Sequence, residues 1–117
     1  MPFRCPHCNA PAGLEIADTI ELAPDALWDE ITLQVLDCSA CGFSALGVYT
    51  EGRRGALDAE TWEHNGFLAK PSDVQHVRQA IHACPRPHEA LCRCEVHKTL
   101  AQTAADPAGH LFRLRMA

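Results

Sequence analysis

The chain has 117 residues, only 6% of them aromatic, and a net charge of −5. This length suits one small domain, or a small ribbon joined to a helical part, and the shortage of aromatic residues predicts a thin core that a bound metal would reinforce. The sequence shows no apolar run of membrane-spanning length and no charged segment followed by an apolar one near Met1. We therefore expect neither a spanning helix nor a signal peptide, and we expect a cytoplasmic protein.

The charge is unevenly distributed along the chain. Residues 1–50 contain one basic residue, Arg4, and seven acidic ones, whereas residues 51–117 contain nine basic and eight acidic residues. A divalent metal held by four thiolates would make the first half still more negative. Because the phosphate backbone of nucleic acids binds positive surfaces, the first half is a poor candidate for binding DNA or RNA.

Two C-x-x-C motifs organise the first half, and we call them the first hook (Cys5–Cys8) and the second hook (Cys38–Cys41). They are separated by 29 residues, in which apolar side chains alternate over 14–22 and again over 31–37. Alternation with period two predicts β-strands, so the two hooks flank a hairpin. A third strand is predicted over 43–50, and Gly42 directly after the second hook fits a turn that needs positive φ.

The two hooks together predict a structural zinc site. Four thiolates, from Cys5, Cys8, Cys38 and Cys41, complete the tetrahedron that zinc prefers and leave no position for a substrate. His7, inside the first hook, is an alternative ligand. Two redox pairs or two disulfides are the other interpretation, but the chain has seven cysteines, and an odd number argues against a fully paired disulfide framework.

The motifs Cys5-Pro6-His7-Cys8 and Cys38-Ser39-Ala40-Cys41-Gly42 resemble those of the zinc-ribbon superfamily. The long strand-rich gap between them is similar to that of CpXC-type ribbons and of the zinc-binding half of MqsA-type antitoxins. The resemblance covers residues 1 to about 52 and implies that the four cysteines bind zinc. It does not extend to the helix-turn-helix with which such an antitoxin binds DNA, so it does not imply a repressor.

The second half has a mainly helical pattern. A helix is predicted over 57–64, and a second over about 73–83, with Ser72 as its N-cap and Pro85 beyond its end. A third is predicted over about 88–105, and the alternation of apolar residues over 110–116 predicts a short last strand that adds to the sheet edge.

A second cluster of metal-binding residue types lies in this half: Cys84, Cys92, Cys94 and His97. If Cys92 and Cys94 bind one metal, the last helix must begin near Cys94, with Cys92 in the preceding loop. Such a site would join two helices, with zinc as the expected ion and iron as the alternative. In the other interpretation, Cys84 packs in the core and His97 lies on a helix surface, because free cysteine is often buried.

The sequence therefore predicts an α+β fold, a zinc ribbon of three to four antiparallel strands with two to three helices packed against it. We expect a ribbon over 1–55 and a helical part with the second metal site over 56–117. No catalytic motif is found, so the predicted function is that of a non-enzymatic protein-interaction or adaptor module. One alternative is a nucleic-acid-binding regulator using Arg53, Arg54, Arg113 and Arg115; another is a metal sensor or metal-dependent enzyme using the second cluster.

Overall fold

The computed structural model describes residues 3–52, 61–107 and 110–114. It contains a five-stranded antiparallel sheet with the strand order β1-β2-β3-β4-β5 and two helices. The α+β class is confirmed, the two helices fit the predicted number, and the sheet has one strand more than predicted. No helix in these described ranges is long and apolar enough to cross a membrane. The elements are β1 (Leu14–Leu22), β2 (Glu30–Cys38), β3 (Ser44–Gly52), β4 (Thr61–Leu68), α1 (Pro71–Ala83), α2 (Glu95–Ala105) and β5 (His110–Arg113).

A β-bulge in β1 divides this strand between the two faces of the sheet. Ile16 pairs with Leu36, but Asp18 pairs with Val35, so the register shifts by one residue between Ile16 and Asp18. Since neighbouring residues of a strand point to opposite faces, the apolar residues before and after the bulge lie on different faces. The alternation over 14–22 predicts that Leu14, Ile16, Ile20 and Leu22 share one face of the sheet. That prediction is wrong, although the strand itself is confirmed.

The main core lies between the sheet and the two helices. Leu33 and Val35 of β2 are fully buried there against Val74 and Ile81 of α1 and Leu100 of α2. Burying one such aliphatic side chain stabilises the fold by about 1.5–3 kcal/mol. The regular spacing of these side chains on α1 explains why its helical pattern was recognisable in the sequence.

A smaller core lies on the opposite face of the sheet. It contains Phe3, Leu14 and Leu36, together with Cys5 and Cys38 of the two hooks. Phe3 forms a bridge with Leu14, with hydrogen bonds of 2.7 and 2.9 Å between their backbones. The N-terminal segment is thus attached to the edge of β1, which places the first hook beside the end of β2.

Residues 61–64 belong to a strand, so the predicted helix over 57–64 is wrong for this part, and 57–60 lie outside the described residues. β4 is held between β3 and β5, with Tyr49 opposite His64 and Gly66 opposite Phe112. The Phe112 ring lies directly over Gly66, where a Cβ would overlap it. Because β4 pairs with β3, the sheet continues past residue 55, and the division at that residue stays a prediction.

Both helices begin differently from the sequence prediction. α1 begins at Pro71 with Lys70 as its N-cap and no side-chain cap, so the predicted N-cap Ser72 lies inside the helix. Proline suits this position because the first N–H groups of a helix have no partner within it. α2 begins at Glu95 rather than near residue 88, because Cys94 is its N-cap and the preceding residues form turns.

An ion-pair network fixes α1 to the sheet. Arg78 on α1 binds Asp18 of β1 at 2.9 Å and Asp37 of β2 at 2.7 Å, and Ser44 donates a hydrogen bond of 2.6 Å to Asp37. His82, one turn further along α1, lies 2.7 Å from Asp18. The network crosses the sheet beside the bulge and next to Cys38, so it links the helix position to the end of β2 that carries the second hook.

Candidate metal centres

The first cluster has the geometry of a tetrahedral metal site. The Cys5 and Cys41 sulfurs are 3.8 Å apart, those of Cys8 and Cys38 are 3.7 Å apart, and all four lie within 4.8 Å of one another. Metal–sulfur bonds of about 2.3 Å in a tetrahedron place sulfurs ~3.8 Å apart. The observed separations match this value and far exceed the ~2.05 Å of a disulfide bond.

The first hook is a tight turn closed by its own backbone. The N–H of Asn9 donates to the carbonyl of Cys5 at 2.9 Å, and the N–H of Cys5 donates to the carbonyl of Ala10 at 3.1 Å. The N–H of Cys8 points at the Cys5 sulfur, 3.5 Å away. Asn9 has a φ of +64°, which asparagine tolerates better than most residues.

The second hook repeats the same turn. The N–H of Gly42 donates to the carbonyl of Cys38 at 3.0 Å, and the N–H of Cys38 donates to the carbonyl of Phe43 at 2.7 Å. Gly42 has a φ of +77°, which confirms the predicted positive φ. The metal cluster is therefore built from two copies of one local structure, each aiming two sulfurs at the same point.

Strand pairing brings the two hooks together. Leu14 pairs with Cys38, and the N–H of Ser39 donates to the carbonyl of Gly13 at 2.9 Å. A Cβ on Gly13 would lie 2.8 Å from the Cys38 sulfur, so only glycine leaves room for the thiol there. His7, the alternative ligand, is exposed, and its ring stacks on Phe43 with centroids 5.7 Å apart, outside the cluster.

The thiols of the second hook differ in acidity in the metal-free protein. Burial raises the pKa of Cys38, but the backbone N–H groups of Cys41 and Ala40 outweigh this effect and lower it to about 7. The N–H of Phe43 lowers the pKa of Cys41, but burial and the neighbouring thiols raise it to about 12. Neighbouring thiolates repel one another, so the cluster does not readily lose several protons. A divalent cation would offset this repulsion.

The second cluster is also brought together. The sulfurs of Cys84 and Cys94 are 3.6 Å apart, and His97 Nδ1 lies 3.1 Å from the Cys84 sulfur and 3.4 Å from the Cys94 sulfur. The Cys92 sulfur completes a group whose ligand atoms lie within 4.8 Å of one another. A tetrahedral zinc with Zn–S of about 2.3 Å and Zn–N of about 2.0 Å would separate sulfur and nitrogen by ~3.5 Å.

The two helices supply the ends on which the second cluster is built. Cys84 is the C-cap of α1, and the backbone N–H of Arg86 points at its sulfur, 3.4 Å away. Cys94 is the N-cap of α2 and accepts from the N–H of His97 at 3.4 Å. Cys92 lies in the loop before α2, as expected if this cluster binds one metal. The geometry thus supports the metal-binding interpretation of this cluster.

The N-cap position makes Cys94 acidic in the metal-free protein. The backbone N–H and the ring of His97 lower the pKa of the Cys94 thiol to about 6. Burial raises the pKa of Cys84 to about 11, against the opposite effect of the Arg86 N–H. Cys94 is therefore mostly a thiolate at neutral pH, whereas Cys84 loses its proton when a cation binds.

The two clusters lie on opposite faces of one sheet. Cys5 and Cys38 belong to the smaller core, and Cys84 to the main core, against which Cys92 and Cys94 pack. Each cluster offers four ligand atoms from the protein, which closes a tetrahedral metal to substrate. Both sites are therefore geometrically suited to a structural metal ion.

Sequence reasoning named all eight side chains of the two clusters but missed two residues that shape the first cluster. Asn9 is the left-handed residue of the first hook, and Gly13 makes room for a sulfur. The sequence could have indicated the left-handed backbone of Asn9, because Asn9 directly follows the second cysteine of its hook, as Gly42 does in the other hook. Gly13 had none, because its contact with Cys38 depends on how β1 pairs with β2.

Comparison with known proteins found no family model, no curated protein and no solved structure that matches this chain. The predicted resemblance to zinc ribbons is therefore not confirmed by a family match. The metal-binding part of that prediction is supported by the sulfur and nitrogen distances of the two clusters.

Proposed function

We propose that this chain is a non-enzymatic, two-zinc scaffold that docks a basic segment of a protein partner on the sheet face opposite the helices. The zinc assignment rests on the donor sets, four thiolates in one cluster and three thiolates with one imidazole in the other. Such soft, tetrahedral sets favour zinc over magnesium or calcium. The interaction role is carried by one observation, an exposed tryptophan that lies opposite Glu51 and shares this face with two further carboxylates.

The docking surface consists of two rows of side chains that cross the sheet. Glu30, Glu51 and Trp62 are directly opposite one another on β2, β3 and β4, and the adjacent row includes Glu21 and Tyr49. We call these five residues the acidic–aromatic face. Trp62 is 64% exposed, and tryptophan is among the residues that contribute most to protein interfaces.

The charge of this face defines the class of partner. Burial raises the pKa of the Glu30 carboxyl, and the neighbouring carboxylates of Glu51 and Glu21 raise it further. Tyr49 donates a hydrogen bond of 3.3 Å to Glu51, but no cation contacts the three carboxylates among the described residues. A lysine or arginine from a partner would relieve this repulsion while its apolar neighbours cover Trp62.

Trp62 fluorescence tests this proposal directly. In a Trp28→Phe background, Trp62 is the only tryptophan, and the zinc-loaded protein would be titrated with a short peptide of arginines and leucines. We expect a blue shift of the emission at low salt that weakens as salt is added, because the contact is partly electrostatic. A peptide with the arginines replaced by glutamine should produce no shift.

A matched pair of variants identifies the surface. Glu30→Gln combined with Glu51→Gln should weaken peptide binding by about threefold to tenfold, the range expected for exposed ion pairs. Glu63→Gln should leave binding unchanged, because Glu63 is exposed next to Trp62 but points to the other face of β4. Equal weakening by both changes, or no shift at low salt, would refute this docking surface.

The nucleic-acid alternative stays a prediction. Arg53, Arg54 and Arg115 lie outside the described residues, and Arg113 is placed only as the last residue of β5. The acidic–aromatic face repels phosphates, so we expect that the protein does not shift the mobility of DNA or RNA in a gel at low salt. A salt-sensitive gel shift that is lost in an Arg113→Gln, Arg115→Gln variant would favour this alternative instead.

The metal-sensor or enzyme alternative would use the second cluster. Cys84 and His97 are 5% and 4% exposed, so they are shielded from substrates and competing ligands. Four protein ligands also favour a structural over a catalytic zinc. Rapid exchange of this metal with added cadmium, together with loss of a response in Cys94→Ser, would support the alternative.

A further inference from the structure

The two metal clusters differ in how far their cysteines are exposed. In the first cluster, Cys8 and Cys41, the second cysteine of each hook, are exposed, whereas Cys5 and Cys38 are buried. All residues over 6–9 and 39–42 are exposed, so the outer side of this cluster lies at the protein surface. Two of its four cysteines are therefore within reach of a small molecule in solution.

The second cluster is more enclosed. Cys84 is 5% exposed and His97 is 4% exposed, while Cys92 and Cys94 are half-buried and pack against the main core. No member of this cluster is exposed. A small reagent that attacks thiolates should therefore react with the first cluster before the second.

Each exposed cysteine of the first cluster lies beside a buried cysteine of the other hook. The Cys8 sulfur is 3.7 Å from the Cys38 sulfur, and the Cys41 sulfur is 3.8 Å from the Cys5 sulfur. A disulfide bond needs a separation of ~2.05 Å, so each pair can form one after a small movement of its side chains. Both contacts run between the hooks, which gives the two disulfides a defined connectivity.

We propose that the first cluster is a peroxide-sensitive modification site that forms the disulfides Cys8–Cys38 and Cys5–Cys41. The thiolate of Cys8 or Cys41 attacks one oxygen of hydrogen peroxide, which breaks the O–O bond, produces a sulfenic acid and releases hydroxide. The buried thiolate of the same pair then attacks the sulfenic sulfur, forms the disulfide and releases the second hydroxide. Each peroxide takes two electrons from two thiolates, so two peroxides convert all four.

The bound metal and the charge of the chain both suit this oxidant. Metal ligation keeps the thiols deprotonated, so the nucleophile is present at neutral pH. Residues 1–50 contain seven acidic residues and one basic residue, which disfavours anionic oxidants but not uncharged hydrogen peroxide.

Oxidation should release the first zinc and leave the second in place. Each disulfide removes two of the four thiolates that hold the first metal, whereas the ligands of the second remain unchanged. The inference rests on the zinc proposed for the first cluster, and it adds a chemical sensitivity that the docking function does not require.

Native mass spectrometry and disulfide mapping test this inference. The zinc-loaded protein is first shown to hold two zinc ions per chain, and it is then treated with a small molar excess of hydrogen peroxide. Free thiols are alkylated in denaturant, and disulfides are mapped in a non-reducing digest. We expect one zinc ion to remain, the two disulfides between the hooks to form, and Cys84, Cys92 and Cys94 to be recovered as alkylated thiols.

A matched pair of variants locates the reactive thiols. Cys8→His combined with Cys41→His keeps four metal ligands in the first cluster but removes both exposed thiols. This variant should hold two zinc ions and lose the first about tenfold more slowly, since an imidazole is not oxidised as a thiolate is. Cys92→His makes the same change at a half-buried position of the second cluster and should leave the loss of the first zinc unchanged.

The outcomes distinguish this inference from the proposed function. Fewer than two zinc ions per chain before oxidation would overturn the two-zinc scaffold. With two zinc ions bound at the start, three results would overturn this inference alone: loss of both ions at the same rate, disulfides within one hook, or equally fast loss in the Cys8→His, Cys41→His variant. Each would show that the exposed cysteines and their partners across the hooks do not direct the oxidation.

Discussion

Two glycines near the first cluster are required for different physical reasons. Gly42 has a left-handed backbone with open space where a Cβ would lie, whereas a Cβ on Gly13 would collide with the Cys38 sulfur. A side chain at Gly42 therefore strains the backbone, at about 1–2 kcal/mol for an L-residue in this conformation. A side chain at Gly13 acts on the metal ligand itself.

We predict that Gly13→Ala distorts the first metal site more than Gly42→Ala does. Overpacking of this kind costs about 1–3 kcal/mol of unfolding free energy and should displace the Cys38 sulfur. Cobalt substitution provides the measurement, because thiolate-to-cobalt absorption reports on tetrahedral sulfur ligands. The prediction fails if the two variants are equally unstable and retain identical cobalt spectra.

His64 should make stability depend on pH. Its ring packs between Phe3 and Tyr49 and lies 2.5 Å from Gln34 Oε1. Burial lowers the pKa of the imidazole below its ordinary value of 6.5, so folding favours the neutral ring. The stabilisation is fully present above pH ~6.5 and is lost as the pH falls through the lower pKa of the folded state.

The measurement is urea unfolding of the zinc-loaded protein at a series of pH values above and below 6.5, the ordinary pKa of histidine. The free energy of unfolding should be constant above pH ~7 and should decrease as the pH falls below ~6.5, and His64→Gln should flatten this decrease. His76→Gln, at an exposed position on α1, is the control. An unchanged slope in His64→Gln would show that this ring does not couple folding to protons.

At the scale of the elements, Arg78 holds α1 on the sheet. Burial raises the pKa of Asp37, but hydrogen bonds from Arg78 and Ser44 outweigh it and hold the pKa below its ordinary value. Arg78→Gln would leave Asp18 and Asp37 without their shared cation and should cost about 1–2 kcal/mol, since the groups are partly exposed. Chemical denaturation of the zinc-loaded protein measures this loss.

A double variant tests the origin of that loss. In Arg78→Gln, Asp37→Asn the uncompensated charge at Asp37 is removed, so the combined loss should be smaller than the sum of the two single losses. Additive losses would mean that the arginine does not act through Asp37 and stabilises the fold through Asp18 and the packing of its stem. Ser44 can still donate a hydrogen bond to the amide oxygen of Asn at this position, so the Asp37→Asn change mainly removes the charge.

The sequence predicted the elements better than their faces. The alternation over 14–22 correctly indicated β1. Leu14 and Ile20 are six positions apart, and in a regular strand an even separation places two side chains on the same face. The bulge between them reverses this, and the period-two pattern of the sequence does not show where a bulge lies. The helix predicted over 57–64 rests on the composition of that stretch, Leu57, Ala59, Glu60, Trp62 and Glu63, of which the last two lie in β4. Its strand conformation depends on pairing with β3 and β5, which are distant in sequence.

The members of the two clusters could be predicted because residue types and short spacings are local features. The sequence predicts a helix start near Cys94 only if Cys92 and Cys94 bind one metal, since helix propensity alone extends the helix back to about residue 88. Ala90 and Leu91 favour helix intrinsically, but the Cys94 cap and the position of Cys92 in the loop override that preference. The start of α2 thus coincides with a residue of the second cluster, Cys94.

At the scale of the whole molecule, the two metal centres should support different parts of the fold. Cys8→Ser removes a ligand from the first centre, and Cys84→Ser removes one from the second. Each variant should retain one zinc ion, measured by native mass spectrometry. Because only the second centre joins α1 to α2, the amides of α2 should exchange faster in Cys84→Ser than in Cys8→Ser.

Hydrogen exchange read by NMR resolves the two cases. Faster exchange near Phe3 and Leu14 is expected in Cys8→Ser, since the first centre is part of the smaller core. If either variant loses both zinc ions, or if both show the same exchange pattern, the two faces of the sheet form one cooperative unit and the separate roles are wrong.

The site does not depend on there being 29 residues between the hooks, because strand pairing brings the hooks together. The pairing of Leu14 with Cys38 sets the site at the open end of the β1–β2 hairpin, and the loop over 23–29 lies at the other end. Insertions in that loop should leave the site intact, whereas lengthening of the strands must add residues in matched pairs to preserve register. Distant homologues would therefore share the two hooks, each followed by glycine or asparagine, across gaps of widely varying length.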